Sequence, residues 1–334
     1  MTLIGEVPPG LAAAAARIGD ATTVLSEDQI TGFVLEQLAA YPFDGRSVCV
    51  LVPDATRTCP MPLLLRAVHA ALHGRVSRLT VLVALGTHAA MSEEALAAHL
   101  GYAPGGLHET YPGTTVINHE WWKPETFADL GTIPAARIAE LSDGRMSLDV
   151  PVLLNRAVVE HDVALVVGPV LPHEVVGISG GNKYFFPGVG GQKIIDVSHW
   201  LGALITSAEI IGTTGITPVR ALIDDGAALI PSEKLALCAV TAEVADGAVE
   251  SSVSAPVQTS GLHSLSVGDT RSSWASAAEV CAATHVVYLD APVRRVLSII
   301  PPMYDDIWTA AKGFYKVEPV VADDGEVILY APHV

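Results

Sequence analysis

Positive charge is scarce in this chain. Nineteen lysines and arginines face 36 aspartates and glutamates, a formal net charge of −17, and only six of the basic residues are lysines. No basic stripe is present, which argues against nucleic acid as a partner. An acidic surface repels anions at long range, so an anionic substrate would need a few local cations to hold it. The rare arginines and lysines are therefore the side chains to trace. Cysteine is scarce too. Cys49, Cys59, Cys238 and Cys281 lie far apart and form no CxxC pair. That speaks against a disulfide framework or a zinc site and suits four thiols in a reducing cytoplasm. No apolar run reaches the ~18 residues of a membrane span. The opening MTLIGEVPPGLAAAAARIGD has no basic n-region and no long apolar core, so it does not read as a signal peptide. The expectation is a cytoplasmic protein with neither membrane nor nucleic acid as partner.

The 334 residues suffice for about two domains with a sizeable core. Half are hydrophobic and 16% charged, a globular composition. Apolar runs alternate with helical patterns. SVCVLVP (47–53), RLTVLVALG (78–86), TTVINHE (114–120) and VALVVGPVL (163–171) read as strands. PMPLLLRAVHAALHG (60–74) and SEEALAAHLG (92–101) read as helices, the second opened by a serine cap. VPVLLNRAVVEHD (150–162) is helical in period. This alternation predicts an α/β fold of two domains: a larger one built on a mostly parallel sheet covered on both faces, and a smaller one. The larger spans 1–266 and the smaller 267–334, with SSVSAPVQTSGLHS (251–264) as the linker candidate. Within 267–334 a helix is expected over 268–283, strands over THVVYLD (284–290) and EVILYAP (326–332), and a helix around 305–316.

Ligands of parallel α/β sheets gather at the carboxyl ends of strands. Polar motifs sit at those ends here: DATR (54–57), GTH (86–88), NHE (118–120) and PHE (172–174). Arg57 is placed either to hold a carboxylate or to pair with Asp54. His88 and His173 each follow a strand, and a histidine titrates close enough to neutrality to serve as acid or base. SGGNK (179–183) offers backbone amides and Lys183 to a phosphate, although it is neither a P-loop nor a dinucleotide fingerprint. His199 lies on a helical stretch with no HxxxH or HxxE partner, so a metal there needs other donors. Lys312 falls in the second domain.

Together these motifs resemble the nickel-pincer-nucleotide lactate racemases and related 2-hydroxyacid racemases and epimerases. The resemblance runs through DATR, LGTHAAMSEEAL (85–96), NHE, PHEVVGISGGNKYFFPG (172–188), DVSHW (196–200) and WTAAKG (308–313). The order and separation of His173, Lys183 and His199 carry it most strongly.

The resemblance implies an isomerase with its site in the cleft between the two domains. It implies a nickel-pincer nucleotide (a pyridinium-3-thioamide-5-thiocarboxylic acid mononucleotide) joined covalently to Lys183, with His199 as the protein's ligand to nickel. Asp54, Thr56, Gly180 and Gly181 would help hold the nucleotide. The substrate, a small 2-hydroxy acid, would place its carboxylate on Arg57 and Lys312. His88 and His173 would exchange the hydroxyl proton as a hydride leaves and returns to C2 through a 2-keto acid. Cofactor-synthesis proteins are implied as partners. Lactate racemases usually carry Tyr-Gln-x-x-Lys where this chain has Trp308, Thr309 and Lys312. The shorter Thr309 cannot make the glutamine's contact, and Trp308 suits a longer or apolar substrate as well as lactate. The competing expectation is a binding or carrier protein for the nucleotide or an organic acid. A nickel-free hydrolase using the same histidines is a third.

Overall fold

The computed structural model describes residues 4–242, 261–302, 304 and 306–334, and leaves the Trp308 side chain undescribed. Seven strands form the main sheet, in the order Ala16–Gly19, Leu262–Asp269, Glu233–Thr241, Val163–Pro169, Ser47–Pro53, Arg78–Ala84, Thr114–Asn118. The last five are mutually parallel, and the first two add antiparallel at one edge. Alternate residues of one strand feed different cores. Cys49 and Leu51 pack on one face of the sheet; Val48, Val50 and Val52 pack on the other. Both faces are covered, so a strand such as Val163–Pro169 is buried along its whole length and its sequence shows no polar alternation.

Helices cover the faces and their ends are set locally. Ser26 and Gln29 close a capping box at the start of helix Glu27–Ala39. Ser92 accepts a bond from the Ala95 amide to open Glu93–Leu100. Gly101 ends that helix at φ +79, and a Cβ there would lie 2.5 Å from Cβ of Pro62 in helix Met61–Leu72. Glycine is needed both for the turn and for the approach of the two helices.

Two expectations about local structure fail. VPVLLN is strand Val150–Asn155, paired antiparallel with Phe127–Ile133. Its buried residues, Val150, Val152 and Leu154, recur every second position, which suits a strand better than a helix. Only Arg156–Val159 turns helical after it. THVVYLD is not a strand: helix Thr270–His285 runs into it, and the next strand starts at Val293. Val287 and Tyr288 have high strand propensity but lie 77% and 78% exposed, with no sheet to join.

Strand Leu262–Asp269 pairs within the main sheet and helix Thr270–His285 packs on it. The expected domain boundary at 266/267 thus falls inside a strand of the large sheet. The change of sheet comes after His285. Val293–Ile299 and Val321–Tyr330 form a separate parallel pair. Of the expected linker, residues 251–260 lie outside the described residues, and Leu262 onward is sheet.

Candidate active site

Strands Ser47–Pro53 and Val163–Pro169 are neighbours in space although far apart in sequence. From this pair the sheet grows both ways: through Arg78–Ala84 and Thr114–Asn118 on one side, and through Glu233–Thr241 on the other. At such a switch of direction the loops leaving the strand ends diverge and open a crevice. Asp54 to Arg57 come from one loop and His173 from the other.

Asp54 anchors the first loop. Its Oδ1 accepts from the amide and hydroxyl of Thr56 at 3.0 and 2.5 Å, and its Oδ2 lies 2.5 Å from Nδ1 of His88. Burial alone would raise the pKa of this carboxyl. Hydrogen bonds from His88 and Thr56, and the charges of His88 and Arg57, outweigh that and hold it below the usual range. Asp54 is therefore an acceptor only, the proton of the pair sits on Nδ1, and Nε2 of His88 is its basic nitrogen. The backbone of His88 is pinned by Trp121, whose Nε1 donates to its carbonyl at 3.0 Å. The guanidinium of Arg57 donates to the carbonyl and hydroxyl of Thr56 and forms no ion pair among the described residues.

His173 follows the buried strand in a two-residue pairing of Pro172–His173 with Gly177–Ile178. Its Nδ1 accepts the Val175 amide at 3.1 Å, so the neutral ring carries its proton on Nε2. Burial holds its pKa well below the ordinary value, aided by the charges of Lys183, Arg57 and Lys312 and opposed by Glu174. Nδ1 also lies 3.8 Å from Glu174, an ion pair only if the ring is protonated. The amide on Nδ1 and the surrounding cations favour the neutral ring.

Glu174 is 3.7 Å from Nζ of Lys312, with its side chain 12% exposed. Burial pushes its carboxyl upward, but the charges around it, Lys312 included, keep it ionised below the usual range. Lys312 begins the short helix Lys312–Tyr315, and its ammonium lies 5.5 Å from the ring centre of Tyr304. Arg57, His173, Glu174, Tyr304 and Lys312 line one cavity of about 710 Å³, closed on another side by Val286–Pro292.

Lys183 sits in the turn Gly181–Tyr184. Burial, then the charges of Arg57, Lys312 and Arg220, lower its pKa to about 7 against the pull of Glu174. At neutral pH a large share of this amine is unprotonated and nucleophilic. The turn is fastened from behind. Gly181 has φ +58, and a Cβ on it would come within 2.8 Å of both the Thr270 carbonyl and the Trp274 Cβ. Asn182 donates to Asp224 at 2.9 Å and accepts from Thr270 at 2.6 Å. Buried Arg220 donates to the carbonyls of Gly180 and Ile178 while its guanidinium lies 4.3 Å over Trp274. Packing and backbone angle thus account for Gly180 and Gly181 without a ligand.

Of the expected residues, Thr56, Arg57, His173 and Lys312 line this cavity, whereas Asp54, His88, Gly180, Gly181, Lys183, His199 and Thr309 do not. His199 is exposed on helix Gln192–Ile205, and its Nδ1 donates to the Ile195 carbonyl at 2.8 Å. That fixes Nε2 as the free ring nitrogen, the arrangement usual for a ligating histidine. Among the described residues no group of three His, Cys, Asp or Glu could hold a metal unaided. One histidine therefore suits a metal only if a bound group brings the other donors. With a nucleophilic Lys183, the residues fit a covalently held metal cofactor. Thr309 spends its amide and hydroxyl on Asp306 at 2.7 and 3.3 Å and does not line the cavity. The side chain of Trp308 lies outside the described residues. Sequence reasoning missed Glu174, Tyr304 and Arg220. Of these, only Glu174 stood in a motif that reasoning had marked, PHE.

These features define an α/β protein with a mostly parallel sheet and a crevice at its switch point lined by Arg57, His173, Glu174 and Lys312. The chain belongs to the lactate racemase N-terminal domain family, whose model matches residues 33–212. Lactate racemase from Thermoanaerobacterium thermosaccharolyticum is 23% identical over 158 residues, 46% of this chain and 32% of that protein. The match therefore spans about a third of that relative's length. The crystal structure of a protein from Thermotoga maritima superposes with a TM-score of 0.77 at 27% identity, covering 91% of this chain and 70% of that one. The lactate racemase apoprotein from T. thermosaccharolyticum superposes at 0.64 with 18% identity, covering 96% and 70%, a likeness of fold. Among the described residues no helix is long and apolar enough to cross a membrane.

Proposed function

We propose that this protein is an isomerase that inverts C2 of a 2-hydroxy acid. One observation carries the proposal. A guanidinium without a carboxylate partner among the described residues and two histidines of fixed tautomer follow three neighbouring parallel strands of one sheet, and Arg57 and His173 line the same cavity. Arg57 takes the substrate carboxylate in a bidentate pair, and Lys312 adds charge from the small sheet's side of the cavity.

The two rings are not equivalent. His88, braced by Asp54, offers a basic Nε2 and accepts the hydroxyl proton. His173 offers Nε2–H to the substrate oxygen. Serving the opposite enantiomer exchanges these roles: His88, protonated on both nitrogens, becomes the acid, and His173 accepts the hydroxyl proton on Nε2 once its own proton has moved to Nδ1, which releases the Val175 amide. A positioned acid or base contributes about 10²–10⁴-fold. Bound nickel-pincer nucleotide would supply the hydride acceptor, with Lys183 as its tether and His199 as the protein's ligand to nickel. Glu174, 3.7 Å from its Nζ, holds Lys312 on the cavity wall.

The test is a panel of enantiopure lactate, malate and longer 2-hydroxy acids given to cofactor-loaded protein and read by chiral chromatography. Equal mixtures from either enantiomer of at least one acid support the proposal. Every acid left unchanged by protein whose intact mass shows the adduct would refute it.

A further inference from the structure

A cavity that gathers cations for a carboxylate also carries a buried carboxylate of its own. Glu174 lies on the wall with Arg57 and Lys312, and its side chain is only 12% exposed. Beyond its own backbone amide, its side chain faces Lys312 at 3.7 Å and the ring of His173 at 3.8 Å. A first incoming carboxylate has Arg57. A second finds Lys312 already facing Glu174 and meets the like charge of Glu174 itself. Lys316, also on the wall, is exposed, where water and salt screen it.

We propose that Glu174 determines the substrate class: by holding Lys312 and repelling a second carboxylate it admits 2-hydroxy monocarboxylates and excludes 2-hydroxy dicarboxylates. This rests on the 2-hydroxy acid reading above. A merely structural glutamate would weaken both acids equally when replaced, whereas a selecting one changes their ratio.

The experiment compares 2-hydroxypentanoate with malate, acids of similar size that differ in the second carboxylate. Binding is measured by calorimetry on the purified protein, and kcat/KM on cofactor-loaded protein, for wild type, Glu174→Gln and Glu174→Asp. Wild type prefers 2-hydroxypentanoate. Glu174→Gln shifts the ratio toward malate by about tenfold or more, because a like charge has gone. Glu174→Asp keeps the wild-type preference. An unchanged ratio in Glu174→Gln, or wild type taking malate as well as 2-hydroxypentanoate, overturns the inference and leaves the isomerase reading standing. Neither acid bound nor turned over by any variant overturns both.

Discussion

The Oδ2 of Asp54 lies 2.5 Å from Nδ1 of His88. This contact joins two residues that the sequence assigned to different tasks, one to the nucleotide and one to the proton. The geometry gives Asp54 to the histidine: it fixes the tautomer and leaves Nε2 basic. Asp54→Asn keeps the shape but removes the acceptor-only group. The expected result is a fall in kcat of about 10²-fold or more, with little change in KM. The same pair also stabilises the fold. A carboxyl with a lowered folded pKa contributes fully above its ordinary value of 3.8 and loses that contribution as pH falls through the lower folded value. Asp54→Asn should therefore flatten the acid limb of a stability–pH curve.

Lys183 titrates near 7 because burial and neighbouring cations oppose its charge. In protein free of cofactor, trinitrobenzenesulfonate should modify it half-maximally near pH 7, as mapped by peptide mass spectrometry. A lysine with the ordinary side-chain value of ~10.4 needs far more alkaline conditions. Arg57→Ala removes the largest of the neighbouring positive charges and should move the midpoint upward. A midpoint near the ordinary lysine value in wild type would contradict the site's electrostatics.

The inequality of the two histidines predicts unequal half-reactions. His88→Ala and His173→Ala should each stop inversion, but each should still form 2-keto acid from one enantiomer in a single turnover. The enantiomer spared should differ between the two variants. Loss of keto acid from both enantiomers in both variants would show that the rings do not divide the work.

Arg220 holds the turn that carries Lys183 through two carbonyls and a tryptophan face. Arg220→Met fills much of the volume but leaves the Gly180 and Ile178 carbonyls without their donor. Urea unfolding should show a loss of about 2–4 kcal/mol. Far-UV circular dichroism should stay unchanged.

Much of this was legible in the sequence because buried parallel strands read as continuous apolar runs and their polar tips mark the crevice. Arg57, His88 and His173 were singled out that way. Strand Val150–Asn155 was missed because a short apolar run fits a two-residue or a 3.6-residue period almost equally well, and its partner Phe127–Ile133 decides between them. Glu174 was not singled out because its meaning depends on Lys312, far along the chain. Arg220 looked like any residue of an amphipathic helix, yet its guanidinium is spent on a turn some forty residues earlier. Contacts of that length leave no periodic trace in sequence.

The most direct test of the central claim uses enantiopure lactate or 2-hydroxypentanoate carrying deuterium at C2, given to cofactor-loaded protein in ordinary water. Both enantiomers should reach equal amounts with the deuterium still on C2, because the hydrogen leaves and returns without meeting solvent. Inversion with the label washed out would mean that C2 is deprotonated by a side chain and would contradict the account. No inversion by protein bearing the adduct on Lys183 would contradict it as well.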